Sequence, residues 1–271
     1  MLTSAFAVPR VHAQLAAARP HGWSFTYTAG VTTAGPAQPG ADLALDVVVW
    51  RGMARITARS GAMRGMTGEG GMILLRAADS VMSIVNPSRR DELRVTMAEF
   101  GGMMGGMGGA ALPLEVTDVS ASVRVRGAGQ PLAGFMTRTV EVDNRYTLTI
   151  LAPGGRRSVR MTERQVVDVS RDVERLDPGF RAFANEFIRG LGLPAEARRK
   201  LRQAERGMPA GFPVRSATDA TTVSGADTVR TQRTAAISAL RREAVDTMTF
   251  VVPAGFRVTE MSRLLQQRRQ P

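Results

Sequence analysis

Methionine is the residue type whose spacing most suggests chemistry in this chain of 271 residues. Nine methionines lie within residues 53–107, and Met103, Met104 and Met107 fall within five residues of one another. Thioether sulfur is a soft ligand that suits Cu(I), so one hypothesis is methionine-based copper binding. However, no Met-x-Met pattern repeats and no histidine lies nearby, and methionine also makes adaptable apolar contacts. We therefore favour contact with an apolar ligand for these methionines and for Phe100.

Most catalytic and metal-binding chemistries lack their residues in this sequence. It has no cysteine, which excludes disulfides, thiolate metal sites and cysteine nucleophiles. Two histidines, His12 and His21, are too few for a multi-histidine metal site, and the single lysine, Lys200, lies in no phosphate-binding loop. A Gly-x-Ser-x-Gly motif is absent, and carboxylate pairs such as Asp91 with Glu92 are typical of surface charge. We therefore expect no enzyme activity, no catalytic residues, no metal site and no cofactor.

Arginine dominates the charge of the chain. There are 36 basic and 24 acidic residues, which give a net charge of +12. The net charge is +3 up to residue 150 and +9 after it, so the second half either favours anionic partners or forms a solvated arginine-rich surface. An anionic membrane surface and an envelope polyanion are the candidates. Aromatic residues make up 5% and none is interleaved with the arginines, so we do not expect nucleic-acid binding. The oligomeric state stays open.

The N-terminal residues resemble the end of an export signal. A short apolar stretch leads to Val11-His12-Ala13 and then Gln14, and small or aliphatic residues at these positions suit signal peptidase. We therefore predict that residues 1–13 are a truncated signal peptide that is cleaved after Ala13. The mature chain is then expected to be periplasmic or secreted. The alternative is a frayed cytosolic N-terminus.

Alternation of apolar and polar residues predicts β-strands from residue 22 to about residue 252, with the last strand at 248–252. Turns are expected at Arg51-Gly52 and at Asp143-Asn144. Residues 22–256 are therefore expected to form a single curved antiparallel β domain. The glycine–methionine run at 100–109 is expected to be a mobile loop between two strands.

Helical spacing predicts three helices, over residues 178–191, 194–206 and 258–269. Asp177-Pro178 supplies the start of the first helix, because aspartate caps helices and proline suits their first turn. The first two helices form an insertion at 178–206 in the β domain. The third belongs to a basic helix or tail at 257–271.

Four short turn motifs follow one another within residues 22–260, at 49–56, 132–137, 211–214 and 251–256. Their order and spacing resemble those of an uncharacterised family of secreted, β-rich bacterial proteins. That family is similar to the outer-membrane lipoprotein carrier (lipoprotein localisation factor) superfamily. The resemblance implies a mainly β (α+β) fold, a strongly curved antiparallel sheet or half-barrel with two or three helices on or near its concave side.

A curved sheet with an apolar inner face forms a concave pocket that suits an apolar ligand. The helix at 178–191 either covers this pocket as a lid or fills it as core. We expect an extracytoplasmic, non-enzymatic carrier for a lipid, a lipidated peptide or another apolar ligand. The alternative is a structural or interaction module of the cell envelope without a small ligand. The predicted ligand contacts are Phe100, Met103, Met104, Met107, Phe135, Phe183 and Phe187.

Overall fold

Most of the predicted alternating segments are β-strands in the computed structural model, which describes residues 20–34, 42–60, 62–76, 81–96, 114–152, 155–184 and 195–263. Four helices, a short 3-10 helix at Thr247–Phe250 and a helical stretch at residues 261–263 accompany the strands in these ranges. The helices are α1 (Ala62–Thr67), α2 (Arg171–Leu176), α3 (Pro178–Ala182) and α4 (Ala195–Ala204). The strands are β1 (His21–Ala34), β2 (Leu43–Trp50), β3 (Met53–Ser60), β4 (Met72–Arg76), β5 (Val81–Asn86), β6 (Asp91–Thr96), β7 (Leu114–Ala128), β8 (Arg138–Ala152), β9 (Gly155–Ser170), β10 (Phe212–Ser224), β11 (Asp227–Ala244) and β12 (Arg257–Glu260).

All these strands belong to one open, curved sheet, which confirms the predicted mainly β fold. The strand order is β12-β6-β5-β4-β3-β2-β1-β11-β10-β9-β8-β7. Two antiparallel meanders, β1 to β6 and β7 to β11, therefore meet where β1 pairs with β11. Strand β12 returns to the far edge and pairs in parallel with β6, which departs from the antiparallel pattern expected for the whole sheet.

Strand alternation gives the sheet two different faces. On β2, Leu45, Val47 and Val49 are fully buried, and they belong to one core cluster with Val173 of α2 and Phe180 of α3. We call this side the helical face. Helix α4 lies on the same side, where its Leu201 packs against Val116, Tyr146 and Met161. The side chains in between, such as Asp46, point to the opposite face, because successive residues of a strand alternate.

The junction between α2 and α3 is attached to the β2–β3 hairpin through one carboxylate. Asp177 caps α3 and accepts a hydrogen bond from the backbone N–H of Gly179 at 2.7 Å. The same side chain accepts from the N–H groups of Arg51 and Gly52 at 2.6 and 2.7 Å. Both turn residues have positive φ, 47° and 78°, as a tight two-residue hairpin turn requires. The predicted turn at Arg51-Gly52 and the predicted helix start at Asp177-Pro178 are thus confirmed, and they are in contact.

One predicted strand and one predicted turn are wrong. The segment at 248–252 is not a closing strand, because Asp246 accepts a hydrogen bond from the N–H of Met248 and caps a 3-10 helix there. No turn occurs at Asp143-Asn144, since β8 runs through it and pairs with β9 along its whole length. The amide of Asn144 stays in the strand and donates to Glu205 beside α4 at 2.8 Å.

The predicted helix at 258–269 is wrong at its start, because Val258 lies in β12, but residues 261–263 within it are helical. The side chain of Arg257 forms an ion pair with Asp91 of β6 at 2.9 Å, so pairing with a distant strand fixes this segment. The other two helices occur as α3 and α4, although residues 185–194 lie outside the described ranges, as do the tail from 264 and the run at 100–109.

Candidate functional site

A cluster of aromatic side chains fills the centre of the helical face. The ring of Phe25 stacks on that of Phe180, with centroids 5.6 Å apart, and meets Phe183 edge-on at 5.5 Å. Phe212 of β10 makes a T-shaped contact with Phe180 at 5.2 Å. All four rings are buried, and their mutual contacts add to the free energy gained from apolar burial. Phe180 and Phe183 therefore fill the core, which was one of the two alternatives for this helix.

Two of the seven predicted ligand contacts lie in the described part of the chain. Phe183 belongs to the aromatic cluster, and Phe135 is half-buried in the tight turn that it closes with Leu132. The ring of Phe135 meets Trp23 edge-on, with centroids 6.0 Å apart, so both phenylalanines pack against the same core. A shared ligand site stays a prediction, as does copper binding, because Phe100, Met103, Met104, Met107 and Phe187 lie outside the described residues.

A groove of about 660 Å³ lies on the opposite face of the sheet. Thr28 points to this side, because its neighbours Tyr27 and Ala29 pack in the core of the helical face. The strand register places Thr28 beside Ala44 and Ala236. Small side chains at such neighbouring positions leave room above the backbone of the sheet. The groove is lined by Thr28, Ala29, Gly30, Asp42, Leu43, Ala44, Ser60, Val166, Asp168, Arg215, Ser216, Ala217, Thr234, Ala235 and Ala236.

One end of the groove is polar and held in a fixed arrangement. Asp168 of β9 accepts a hydrogen bond from Thr139 at 2.6 Å and forms an ion pair with Arg215 of β10 at 3.4 Å. The Arg215 guanidinium also donates a hydrogen bond from Nη1 to the side-chain oxygen Oε1 of Gln130 at 2.6 Å. The Arg215 side chain is still 38% exposed, so its remaining N–H groups can donate to a ligand.

Gly129 allows the backbone to approach this polar end closely. A Cβ atom at Gly129 would lie 2.6 Å from Oγ1 of Thr137 and 2.7 Å from a carboxylate oxygen of Asp168. Real Cβ atoms essentially never show contacts this short, so any larger residue would displace the carboxylate or the strand. The glycine is therefore part of the arrangement that positions Asp168 and Arg215.

The sequence analysis missed every residue of the groove. Its floor comes from alanines and a glycine on four different strands, and only the register of the sheet brings them together. Alanine carries no chemical signal by itself. The one local hint is the pair Ala235-Ala236 within a strand that is otherwise rich in arginine and threonine.

A second polar group lies on the helical face, where α4 approaches the sheet. Burial raises the pKa of Glu163, against the opposing effects of the nearby Arg233 and of a hydrogen bond with Tyr146. Burial and the proximity of Glu163 raise the pKa of Tyr146. Glu205 lies at the end of the same network and accepts a hydrogen bond from Asn144. These contacts connect α4 to β8 and β9.

The described residues contain no group of three or more histidine, aspartate or glutamate side chains arranged to hold a metal ion. In the same part of the chain, no helix is both long enough and apolar enough to cross a bilayer.

Comparison with known proteins gives only weak similarities. No family model and no curated protein matches the chain. A structure of PNGF-II is 9% identical with a TM-score of 0.34 and covers 92% of this chain, which spans 34% of the length of that protein. A LolA superfamily protein from Nitrosomonas europaea is also 9% identical, with a TM-score of 0.29 over 84% of this chain and 90% of the other. Such values are too low to establish a common fold or function.

Proposed function

We propose that this chain is a non-enzymatic, extracytoplasmic binding or carrier protein for an apolar or amphiphilic molecule, which it holds in the groove on the opposite face of the sheet. The observation that carries the proposal is the groove itself. Its volume of about 660 Å³ falls within the range of roughly 300–1,000 Å³ that is usual for small-molecule sites. The extracytoplasmic location rests on the signal-like N-terminal residues alone.

The composition of the groove suits a molecule with an apolar body and a polar end. Ala44, Ala217 and Ala236 offer methyl groups and open backbone, against which an apolar chain can lie. Each methylene group that leaves water there contributes ~0.8 kcal/mol. Arg215 and Asp168 at one end supply the hydrogen-bonding groups that fix orientation.

Filling the groove tests this function. The double variant Ala217→Phe and Ala236→Phe places two rings in the groove, and phenylalanine suits a strand. The probe is a fluorescent fatty acid titrated into the full chain, with native mass spectrometry of protein purified from a membrane-containing lysate as the second measurement. We expect the unmodified chain to bind the probe and the double variant to bind it about tenfold more weakly or worse.

Ala226→Phe is the matched control, because Ala226 is an exposed alanine in the turn between β10 and β11. Its affinity for the probe should stay within about twofold of the unmodified chain, as expected for a surface change. Equal binding by the double variant and this control contradicts the groove as the site. Absence of probe binding together with absence of a co-purified ligand contradicts the function.

A further inference from the structure

Beyond the groove, the opposite face of β8 to β11 carries polar side chains in rows that cross the strands. The row that includes Val166 and Ala217 of the groove also contains Glu141, which forms ion pairs with Arg126 of β7 and Arg164 of β9. The hydrogen bond from Arg126 and the charges of both arginines hold the pKa of Glu141 below its usual range. The next row places Asp143 and Asp219 on either side of Arg164. In these two rows, three carboxylates therefore face two arginines, so both arginines have carboxylates beside them.

In the two rows beyond them, the charged residues of β8 to β11 are all basic, and most of the other residues carry hydroxyl groups. In the first of these rows, Arg145 of β8 lies beside Thr162, and Thr221 lies beside Arg230 of β11. Thr162 and Thr221 are themselves paired, so the four residues form one continuous row. In the second row, Arg160 of β9 lies between Thr147 and Val223. We call Arg145, Arg160, Arg230, Thr147, Thr162 and Thr221 the arginine–threonine surface.

The three arginines of this surface are exposed, and none has an ion pair within the described part of the chain. Every ion pair of the neighbouring strands involves a different arginine, such as Arg156 with Glu115 farther out. With strands about 4.8 Å apart and alternate residues about 6.8 Å apart, the three Cα atoms lie roughly 8 to 14 Å from one another. This spacing gives three guanidinium groups without ion pairs among the described residues, with hydroxyl groups between them on one face of the sheet.

We propose that the arginine–threonine surface binds a linear anionic polysaccharide that carries sulfate or phosphate groups. Guanidinium groups bind such anions through paired hydrogen bonds, and threonine hydroxyl groups can donate to the same anions or to sugar hydroxyls. Three separate cations match several anionic groups along one polymer better than a single compact anion. The spaced positive charges of this surface thus complement the repeating negative charges of such a polymer.

Two other polyanions fit this surface less well. Neither row contains an aromatic side chain on which a nucleic-acid base could stack. Membrane-binding surfaces combine basic residues with large apolar side chains that enter the bilayer, and the only apolar residue in these rows is the half-buried Val223. Both ligands remain outcomes of the test.

The probe for this proposal is heparin, a linear sulfated polysaccharide, titrated into the full chain at several salt concentrations. The test variant carries Arg145→Gln, Arg160→Gln and Arg230→Gln together. The control variant carries Arg89→Gln, Arg171→Gln and Arg242→Gln, which are exposed, lack ion pairs in the described residues and change the net charge equally. We expect the test variant to bind heparin about tenfold more weakly or worse at low salt, with a shallower salt dependence, and the control to change by less than about threefold.

Equal losses in the two variants overturn the proposal, because net charge alone then explains binding. Absence of heparin binding by the unmodified chain also overturns it. Anionic phosphatidylglycerol vesicles or a single-stranded oligonucleotide that bind more tightly than heparin, with the same loss in the test variant, assign the surface to those ligands instead. The fatty-acid probe should bind the test variant normally, so this result and the groove proposal fail independently.

Discussion

Glu163 shows how a single residue depends on contacts that the sequence does not reveal. The sequence of its strand shows only ordinary alternation, yet the pairing of β9 with β8 brings its carboxyl group into a hydrogen bond with Tyr146 and into the vicinity of Glu205. Because burial raises its pKa in the folded chain, the folded state retains a proton that the unfolded state loses above its ordinary pKa of 4.5. The stability that Glu163 contributes is thus fully present below pH 4.5 and is lost as the pH rises through the raised pKa.

Glu163→Gln should make the free energy of unfolding less dependent on pH above pH 4.5. The neutral amide keeps a hydrogen-bonding group for Tyr146 and does not titrate, so the difference at pH 7 should be within about 1 kcal/mol. Urea unfolding at a series of pH values measures this. Glu115→Gln is the control, since Glu115 forms an exposed ion pair. The same pH dependence in unmodified and Glu163→Gln chains contradicts the assignment of the raised pKa.

At the scale of elements, Asp177 links two segments that are far apart in sequence. Asp177→Ala removes the acceptor for three backbone N–H groups, those of Arg51, Gly52 and Gly179. The free energy of unfolding should fall by about 2–3 kcal/mol, because a lost cap and unsatisfied donors each contribute. Chemical denaturation measures this loss. The control variant is Asp172→Ala, because Asp172 is an exposed acid in the first turn of α2. We expect about 0.5 kcal/mol for that control, and equal losses would contradict the role of Asp177.

The elements divide into those that local chemistry determines and those that distant pairing determines. The Arg51-Gly52 turn and the start of α3 at Asp177-Pro178 were predictable, because turn and capping preferences are local. β12 was not, because Val258 belongs to a strand only through its pairing with β6. The 3-10 helix after Asp246 interrupts an alternating segment, because a local side-chain hydrogen bond competes with strand pairing.

The candidate site follows the same division. The helical spacing of Phe180 and Phe183 predicted that they lie on one side of a helix, and the structure places both in the core. The groove could not be predicted from the sequence, because Ala44, Ala217 and Ala236 become neighbours only through the pairing of the strands. The positive charge of the second half could be read from the sequence. Which arginines lie beside carboxylates, and which do not, could be seen only from the register of the strands.

Across the whole molecule, burial is uneven. The largest core cluster gathers residues from β1 to β6 with α2 and α3, whereas the first half of β11, residues 227–234, is almost entirely exposed. We expect amide hydrogen exchange to be slowest in β2 and in residues 23–27 of β1, and faster by about two orders of magnitude or more in residues 227–234. Exchange followed by mass spectrometry of proteolytic peptides measures this. Uniform protection along β11 would contradict an uneven distribution of stability.

The pairing of β1 with β11 has a consequence for how the chain is made. Residues such as Thr28 and Ala236 are neighbours although 208 positions separate them. A ribosome releases β1 long before its partner exists, so a growing chain carries a strand whose one edge has nothing to bind. An unpaired strand edge can pair with other molecules. We therefore expect chaperones to bind the incomplete polypeptide more tightly than the completed one.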